Sequence, residues 1–491
     1  MGYGKANSAF TQIRRPCCPF RKFCIFLHGE NPHCVLEQRD YLSRKVDELE
    51  LAMDIRNRQY RELLANYKEL EDKTSHLEDE LAQALKAPFI KYEKKEVPEN
   101  PKKRGAPVGH PGWFRGKPDQ VNKTVDAYLD NCPLCDSENI SPCNHTTEHI
   151  QEDIANGKLT STCFVRCYYW CGNCKSVVHD WGENEIPNAF IGPEARAKAT
   201  FLRHQIKVFY DSAQQVLEYL CGLTVVPCSI VGFDRKFAQT AELVYENLKK
   251  SLTETPFMHP DETGWKRGWL WILTNLDIAF FHIDESRGSQ VVIDHLGEHY
   301  GGILISDFWS TYRSKVDAFA KQKCTVHLLR DVKELLKDET LGLNTKNFLL
   351  EFKTLFKDAI FLHNTHTTLP HAEYRLAKKD ILKRFKKLCR HTELEHHETA
   401  NIRKRLITFA DELFVFLEFP ALPPTNNAAE QGIRNAVLFR KITFGNMTAR
   451  GKRDVSIIMT IIRTAMLQKL NPIEIVKKIM LNTAPVMPEA P

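Results

Sequence analysis

Three acidic residues late in the chain stand in sharply marked contexts: Asp261 in HPDETGW, Asp307 in GGILISDFWSTY and Glu430 in TNNAAEQGIRN. The first two end or follow apolar, strand-like runs, and the third opens a helix. Three converging carboxylates are the minimum set that holds two divalent cations over a phosphodiester. The chemistry expected is metal-dependent phosphoryl transfer on nucleic acid, with Asp261, Asp307 and Glu430 as ligands of two Mg2+ (or Mn2+) ions. Glu262 alternates to the opposite face of its strand, so Asp261 is preferred; Asp284, Glu285 and Asp331 stand in reserve. Structural roles compete for two of the three. Asn427-Ala-Ala-Glu430 has the spacing of a capping box, and Asp307 sits where an N-cap would precede FWSTY. Arg330, Arg434, Arg440 and Lys441 are cations for flanking phosphates, and His327 is placed to contact a phosphate or the leaving group.

A second set of residues holds metal without reacting. Of fifteen cysteines, Cys132 and Cys135 form one CxxC pair and Cys171 and Cys174 another. Each pair puts two sulfurs on one tight turn, and two turns close a tetrahedral, structural Zn2+ site with no open position for catalysis. Cys143, His145, Cys163 and Cys167 are rival ligands. The N-terminal arm, residues 1–35, carries Cys18, Cys24, His28 and Cys34, with Cys17 or His33 as substitutes. It is either a small zinc site or a loosely ordered cysteine-rich segment. Paired cysteines in a chain with no export signal point to reduced thiols on metal.

The elements that must carry the carboxylates follow from the pattern after Pro256. MHPDET, GWLWILTN and AFFHIDE read as three strands, SQVVIDHLG as a helix, GGILISD as a fourth strand and FWSTYRSKV as the start of a helix. KCTVH reads as a fifth strand leading into helix LLRDVKELL. This order is the α/β ribonuclease H-like plan, a mixed sheet with helices on its faces, in which the first and fourth strands lie side by side. The expected catalytic domain spans 256–332 and 421–465, interrupted by a helical insertion at 333–420 and followed by a tail, 466–491. Upstream, residues 36–87 read as a coiled-coil helix with rows Val46, Met53, Tyr60, Tyr67, Leu81 and Leu49, Leu63, Leu70, Leu77, a seam for self-association into a homo-oligomer. Residues 88–120 form a basic Pro/Gly linker in which Lys102, Lys103 and Arg104 either meet phosphates or serve a solvated tether. Residues 121–182 form the zinc-binding domain. Residues 183–255 are helical with a break at Gly222, the spacing of a helix-turn-helix or of an ordinary helical hairpin.

The bulk numbers exclude some classes. The chain has 491 residues, and 43% hydrophobic with 26% charged content is ordinary for a globular protein. No apolar run approaches the ~18 residues of a membrane span, so no membrane partner is expected. MGYGKANSAFTQIRR lacks the apolar core of a secretory signal, which suggests a cytoplasmic, nucleoid-associated protein. The net charge of +6 mildly favours an anionic partner.

These segments resemble the insertion-sequence-66 family of bacterial and archaeal DDE transposases. The matching residues are DETGW (261–265), SRG (286–288), GGILISD (301–307), HLLRD (327–331), TNNAAEQGIR (425–434), RKITFGN (440–446) and LNP (470–472). The succession of zipper-like helix, basic GHPG linker, zinc segment and catalytic domain is also similar, over roughly residues 36–480. The resemblance implies that Asp261, Asp307 and Glu430 are a catalytic triad. It implies cleavage of double-stranded DNA at element ends and joining of the 3′-hydroxyl to target DNA; whether accessory proteins of the same element take part as further partners is left open by the sequence. Thr325-Val326 and Gln431-Gly432 depart from the family's usual residues at those places. The competing readings are a transposase-derived DNA-binding regulator without catalysis and a ribonuclease H-type nuclease acting on hybrids.

Overall fold

The computed structural model describes residues 115–309, 311–391 and 396–482, with interspersed positions between 43 and 73. Two units separate, Met1–Pro111 and Gly112–Pro491. In the first, the described positions from Ser43 to Lys73 are helical. Val46, Leu49, Met53, Leu63 and Leu70 are half to two-thirds exposed there. The Cys/His arm of residues 1–35 and the basic trio Lys102, Lys103 and Arg104 lie outside the described residues.

The second unit opens with a sheet of β1 (Lys123–Ala127), β2 (Ile140–Ala155), β3 (Lys158–Cys171) and β4 (Ser176–Val178). Strand β3 is central, with β1 parallel on one side and β2 antiparallel on the other. Asn156 and Gly157, both at positive φ, make the two-residue turn between β2 and β3, the turn whose twist matches paired strands. Asp153 on β2 accepts the N–H groups of Glu194 and Ala195 at 3.2 and 2.7 Å. It thereby satisfies the open N-terminus of α1 (Pro193–Phe201). Arg115, in the stretch read as a linker, donates to Glu152 and to the Thr224 carbonyl. Helix α2 (Tyr210–Cys221) ends on left-handed Gly222, and α3 (Pro227–Thr240) begins on proline, as N1 proline and C-terminal glycine favour. Helix α4 (Glu242–Ser251) leads into the second sheet.

That sheet comprises β5 (Phe257–Trp265), β6 (Gly268–Thr274), β7 (Ala279–Asp284), β8 (His299–Ser306) and β9 (Asp317–Lys323). Its strand order is β7-β6-β5-β8-β9. The first three are antiparallel neighbours, and β8 and β9 run parallel to β5. Between β7 and β8 lies α5 (Gln290–Leu296), and between β8 and β9 the short α6 (Thr311–Ser314). The first and fourth strands are thus adjacent, as expected. The fifth is not where expected: it occupies Asp317–Lys323, whereas KCTVH straddles the strand's end and the start of α7 (Thr325–Leu335). The polar segment DAFAKQK makes the strand because its polar C-terminal end, Gln322 and Lys323, is buried and tied inside. Gln322 Nε2 donates to the Lys323 and Leu413 carbonyls, and Lys323 Nζ donates to Ser306 Oγ and the Asp307 carbonyl.

Alternation sorts the two faces of the sheet. Phe257, Ile303 and Ile305 join a core with α8 (Leu343–Asn364), α9 (His371–Cys389) and α10 (His397–Thr408). Met258 and Leu304 face the opposite core, with Phe237 of α3, Tyr245 of α4 and Val292 of α5. On the Phe257 side, α11 (Asn427–Thr443) lies over β5 and β6, where Ala429 and Ile433 join Ile272, and α12 (Ala449–Leu467) covers the edge of β7. Thr460 and Thr464 of α12 accept the backbone N–H groups of Phe281 and Ala279 at 2.9 and 3.1 Å, so the open edge is paired. Helix α13 (Pro472–Met480) closes against α1 and α12. No helix among the described residues is long and apolar enough to cross a membrane.

Candidate active site

The site forms where β5 and β8 part. Their pairing runs through Phe257–Ile303 and Met258–Leu304, and the same register carried onward sets Asp261 level with Asp307. Pro260 ends the ladder: it has no N–H to give, and its carbonyl accepts from Asn426 Nδ2 at 3.2 Å. Asp261 shares a face with Phe257 and His259, the face of β5 on which Asn426 and α11 lie. Glu262, one residue on, falls on the other face.

Burial first, then the charge of Glu262 and, less strongly, those of Asp307 and Glu430, push the Asp261 carboxyl up to about 7. The Glu262 N–H that it accepts at 2.9 Å does not offset this. Negative charge from three elements therefore reaches one buried carboxyl, but among the described residues the oxygens of Asp261, Asp307 and Glu430 do not all lie within 4.8 Å of one another, as the sulfurs of Cys132, Cys135, Cys171 and Cys174 do. Glu262 is differently placed. Burial raises it too, but Tyr312 donates to it at 2.8 Å and Arg287 at 2.9 and 3.1 Å. Arg287 is itself held between Trp269 and Trp309, 4.5 Å from each ring. Glu262 thus has an arginine and a phenol as hydrogen-bond donors, whereas Asp261 accepts the Glu262 N–H.

Asp307 follows the last residue of β8. Its Oδ1 accepts the Trp309 N–H at 2.9 Å, a local turn bond; the next helix begins only at Thr311, so Asp307 is not its N-cap. Its carbonyl is fixed from below by Lys323 Nζ at 2.8 Å, a buried ammonium. Glu430 is in the first turn of α11. The capping box is absent: the N-cap is Asn426, its side chain does not cap, and Glu430 Oε1 is buried with no hydrogen-bond partner. Asn426 instead joins three elements. Its Oδ1 pairs with His259 Nδ1 at 3.0 Å, its Nδ2 donates to Pro260, and its backbone N–H donates to Cys324 Sγ at 3.2 Å. Gly432 lets α11 lie close, since a Cβ there would come within 2.2 Å of Ile272 Cδ1 on β6. His327, in the first turn of α7, has Nε2 3.7 Å from Glu430 Oε1.

Among the expected phosphate contacts, Arg330, Arg434 and Lys441 are exposed and Arg440 half-buried. The Arg440 guanidinium sits beside Gly264 of β5, 3.6 Å from where a Cβ would stand. The reserve acids lie elsewhere: Asp331 pairs with Arg405 at 2.6 Å, Asp284 accepts the Ser286 N–H at 2.6 Å, and Glu285 is exposed. Arg287, Lys323 and Asn426 were missed as positioning residues. Arg287 and Asn426 lie inside segments singled out for their motifs, but their partners are distant in sequence.

Away from the carboxylates, Cys132, Cys135, Cys171 and Cys174 gather in one cluster. The Cys132–Cys174 and Cys135–Cys171 sulfurs are 3.8 and 3.7 Å apart. That is the edge, about 3.8 Å, of a tetrahedron with Zn–S bonds of ~2.3 Å. The four thiols fit a structural Zn2+; Cys143, His145, Cys163 and Cys167 do not enter this cluster.

The sequence model described as Transposase IS66 family matches residues 188–454, more than half of the chain. No curated protein matches it.

Proposed function

Since the chain belongs to the IS66 transposase family, we propose that it cleaves DNA at the ends of an insertion sequence and joins the freed 3′-hydroxyl to target DNA. Asp261, Asp307 and Glu430 are the metal-binding carboxylates. The strand order and the parallel β5–β8 pairing support a ribonuclease H-like reading of the second sheet. The observation that carries the proposal is the parallel β5–β8 register, which sets Asp261 level with Asp307, together with Glu430 in the first turn of α11 over β5; burial and the neighbouring acids raise the Asp261 carboxyl to about 7. Such a cluster suits divalent cations, which remove the repulsion that the fold leaves standing. Mg2+ or Mn2+ held there supplies activation of the attacking water or hydroxyl and stabilisation of the leaving oxygen.

The chain's own residues do the positioning. Lys323 and the Asp307–Trp309 turn hold Asp307. Asn426 fixes the start of α11, and with it Glu430, against His259 and Pro260. Arg287 and Tyr312 occupy Glu262, which leaves Asp261 as the free acid of the pair. Arg434, Arg440, Lys441 and Arg330 are the groups for flanking phosphates, each worth part of a salt-dependent, sequence-independent affinity. The four cysteines hold Zn2+ to brace the β2–β3 hairpin, and α2–α3 form a helical pair of the size that reads DNA. The second sheet, with α11 and α12, is proposed as the catalytic domain, and α8–α10 as its insertion.

The full chain incubated with Mg2+ and duplex carrying the element's ends is expected to nick and join strands. Asp307→Ala should abolish both, a loss of at least ~1,000-fold given the electrostatic work assigned to it, while end binding in a gel-shift assay persists. Binding without strand chemistry by the intact chain would instead identify a regulator.

A further inference from the structure

One of the carboxylates also belongs to a different donor set. Cys324 Sγ, an imidazole nitrogen of His327 and a carboxylate oxygen of Glu430 all lie within 4.8 Å of one another. Cys324 caps the start of α7, His327 lies in its first turn, and Glu430 comes across from α11. The 3.7 Å between His327 Nε2 and Glu430 Oε1 is too long for a hydrogen bond. It is within a few tenths of an ångström of the ligand–ligand edge, about 3.3 Å, around a tetrahedral ion with ~2.0 Å bonds. Glu430 Oε1 and His327 Nδ1 are both buried without a hydrogen-bond partner. The sulfur already accepts the Asn426 N–H at 3.2 Å and stands at the N-terminus of α7; burial holds its thiol above the usual range, so the ion itself must displace the proton.

The two donor sets that share Glu430 differ in kind. Asp261, Asp307 and Glu430 offer only hard oxygen, which suits Mg2+. Cys324, His327 and Glu430 offer sulfur, nitrogen and one oxygen, which suits Zn2+. The geometry points to a second, inhibitory Zn2+ site made by Cys324, His327 and Glu430, in which the ion withdraws Glu430 from the Mg2+-binding set. This inference rests on the catalytic reading of Glu430 above. Binding leaves Cys324 as a thiolate, its proton passes to solvent, and three protein ligands leave a fourth position for water. The ion enters from the side of His327 and Glu430, whose side chains are 32% and 26% exposed.

The test uses the full chain with its four-cysteine site already filled with zinc. Titrated with Co2+, it is expected to take up a further equivalent and to develop a sulfur-to-cobalt charge-transfer band that Cys324→Ser lacks. In strand-cleavage assays with Mg2+ saturating, Zn2+ should inhibit the native chain, and Cys324→Ser should need on the order of tenfold more or beyond. Should the serine variant fail to fold, zinc-edge absorption compares the native chain with His327→Gln, each loaded with excess Zn2+, so that the cysteine- and histidine-rich arm contributes equally to both. The native chain's average shell must contain more nitrogen and oxygen besides sulfur than the variant's. Identical cobalt uptake by Cys324→Ser, or equal zinc shells in the native chain and His327→Gln, overturns the inference. Cobalt binding needs no DNA, so a chain that binds but never cleaves would sink the catalytic reading and leave this site standing. A chain that cleaves but binds no second ion would do the reverse.

Discussion

Burial, and then the acidic neighbours, hold the Asp261 carboxyl far above its ordinary range. Its pKa rises from 3.8 to about 7, so the folded protein binds a proton that the unfolded chain has released. Stability therefore falls as pH rises from about 4 to about 7 and levels off above. A shift of that size corresponds to at most about 4 kcal/mol. In buffer stripped of divalent ions, but without chelator so that the zinc stays, Asp261→Asn is expected to escape this fall and to exceed the native chain in stability at pH 8. Added Mg2+ should stabilise the native chain and leave the variant nearly unmoved. Urea unfolding at pH 5 and pH 8 reads both effects; parallel pH profiles for the two proteins would show that Asp261 is not raised. Glu262 shows why neighbouring acids differ: with Arg287 and Tyr312 already on it, it has less to gain from a cation.

The elements were legible to different degrees, for physical reasons. Strands β6 and β7 announce themselves because they are buried on both faces and so nearly all apolar. Strand β9 hides because Gln322 and Lys323 are buried through hydrogen bonds, while the β-branched KCTVH attracts the reading and turns out to begin a helix. Asp261, Asp307 and Glu430 were readable as acids in unusual surroundings, but Asn426 was not, since its His259 partner lies 167 residues away. Gly432 belongs with Asn426: what looks like a weak helix residue is a contact. Gly432→Val should cost about 1–3 kcal/mol by overpacking against Ile272 and should lower cleavage by displacing Glu430. Adding Ile272→Ala ought to recover part of both, a coupling that a double-mutant cycle on melting temperature and rate would read; strictly additive effects would mean the helix does not rest there. The four-cysteine cluster makes a similarly local demand. Metal analysis should find at least one zinc per chain, and Cys132→Ser should lose that zinc and loosen the β2–β3 hairpin to proteolysis. Full zinc content in the variant would reassign the ligands.

On the proposed reading, a single set of three carboxylates acts on one phosphodiester at a time, yet an inserted element has two ends. Joining both to one target requires two sets held together, and the second unit carries one. The first unit offers the means: at the described positions Val46, Leu49, Met53, Leu63 and Leu70 lie on a helix and are 50–66% exposed. Their spacing is that of a heptad seam, whose apolar side chains gain by meeting another copy. Replacing Leu49, Leu63 and Leu70 together with glutamate puts like charges along that seam. The native chain is expected to sediment as a dimer or larger and the full-length variant as a monomer. Nicking of a single DNA end should survive nearly unchanged, because Asp261, Asp307 and Glu430 are untouched. Joining of two ends to one target should fall by ~100-fold or more, the order of avidity lost when linked sites become independent. A variant that stays oligomeric, or a monomer that still joins paired ends, would mean that the carboxylate sets are brought together by some other surface.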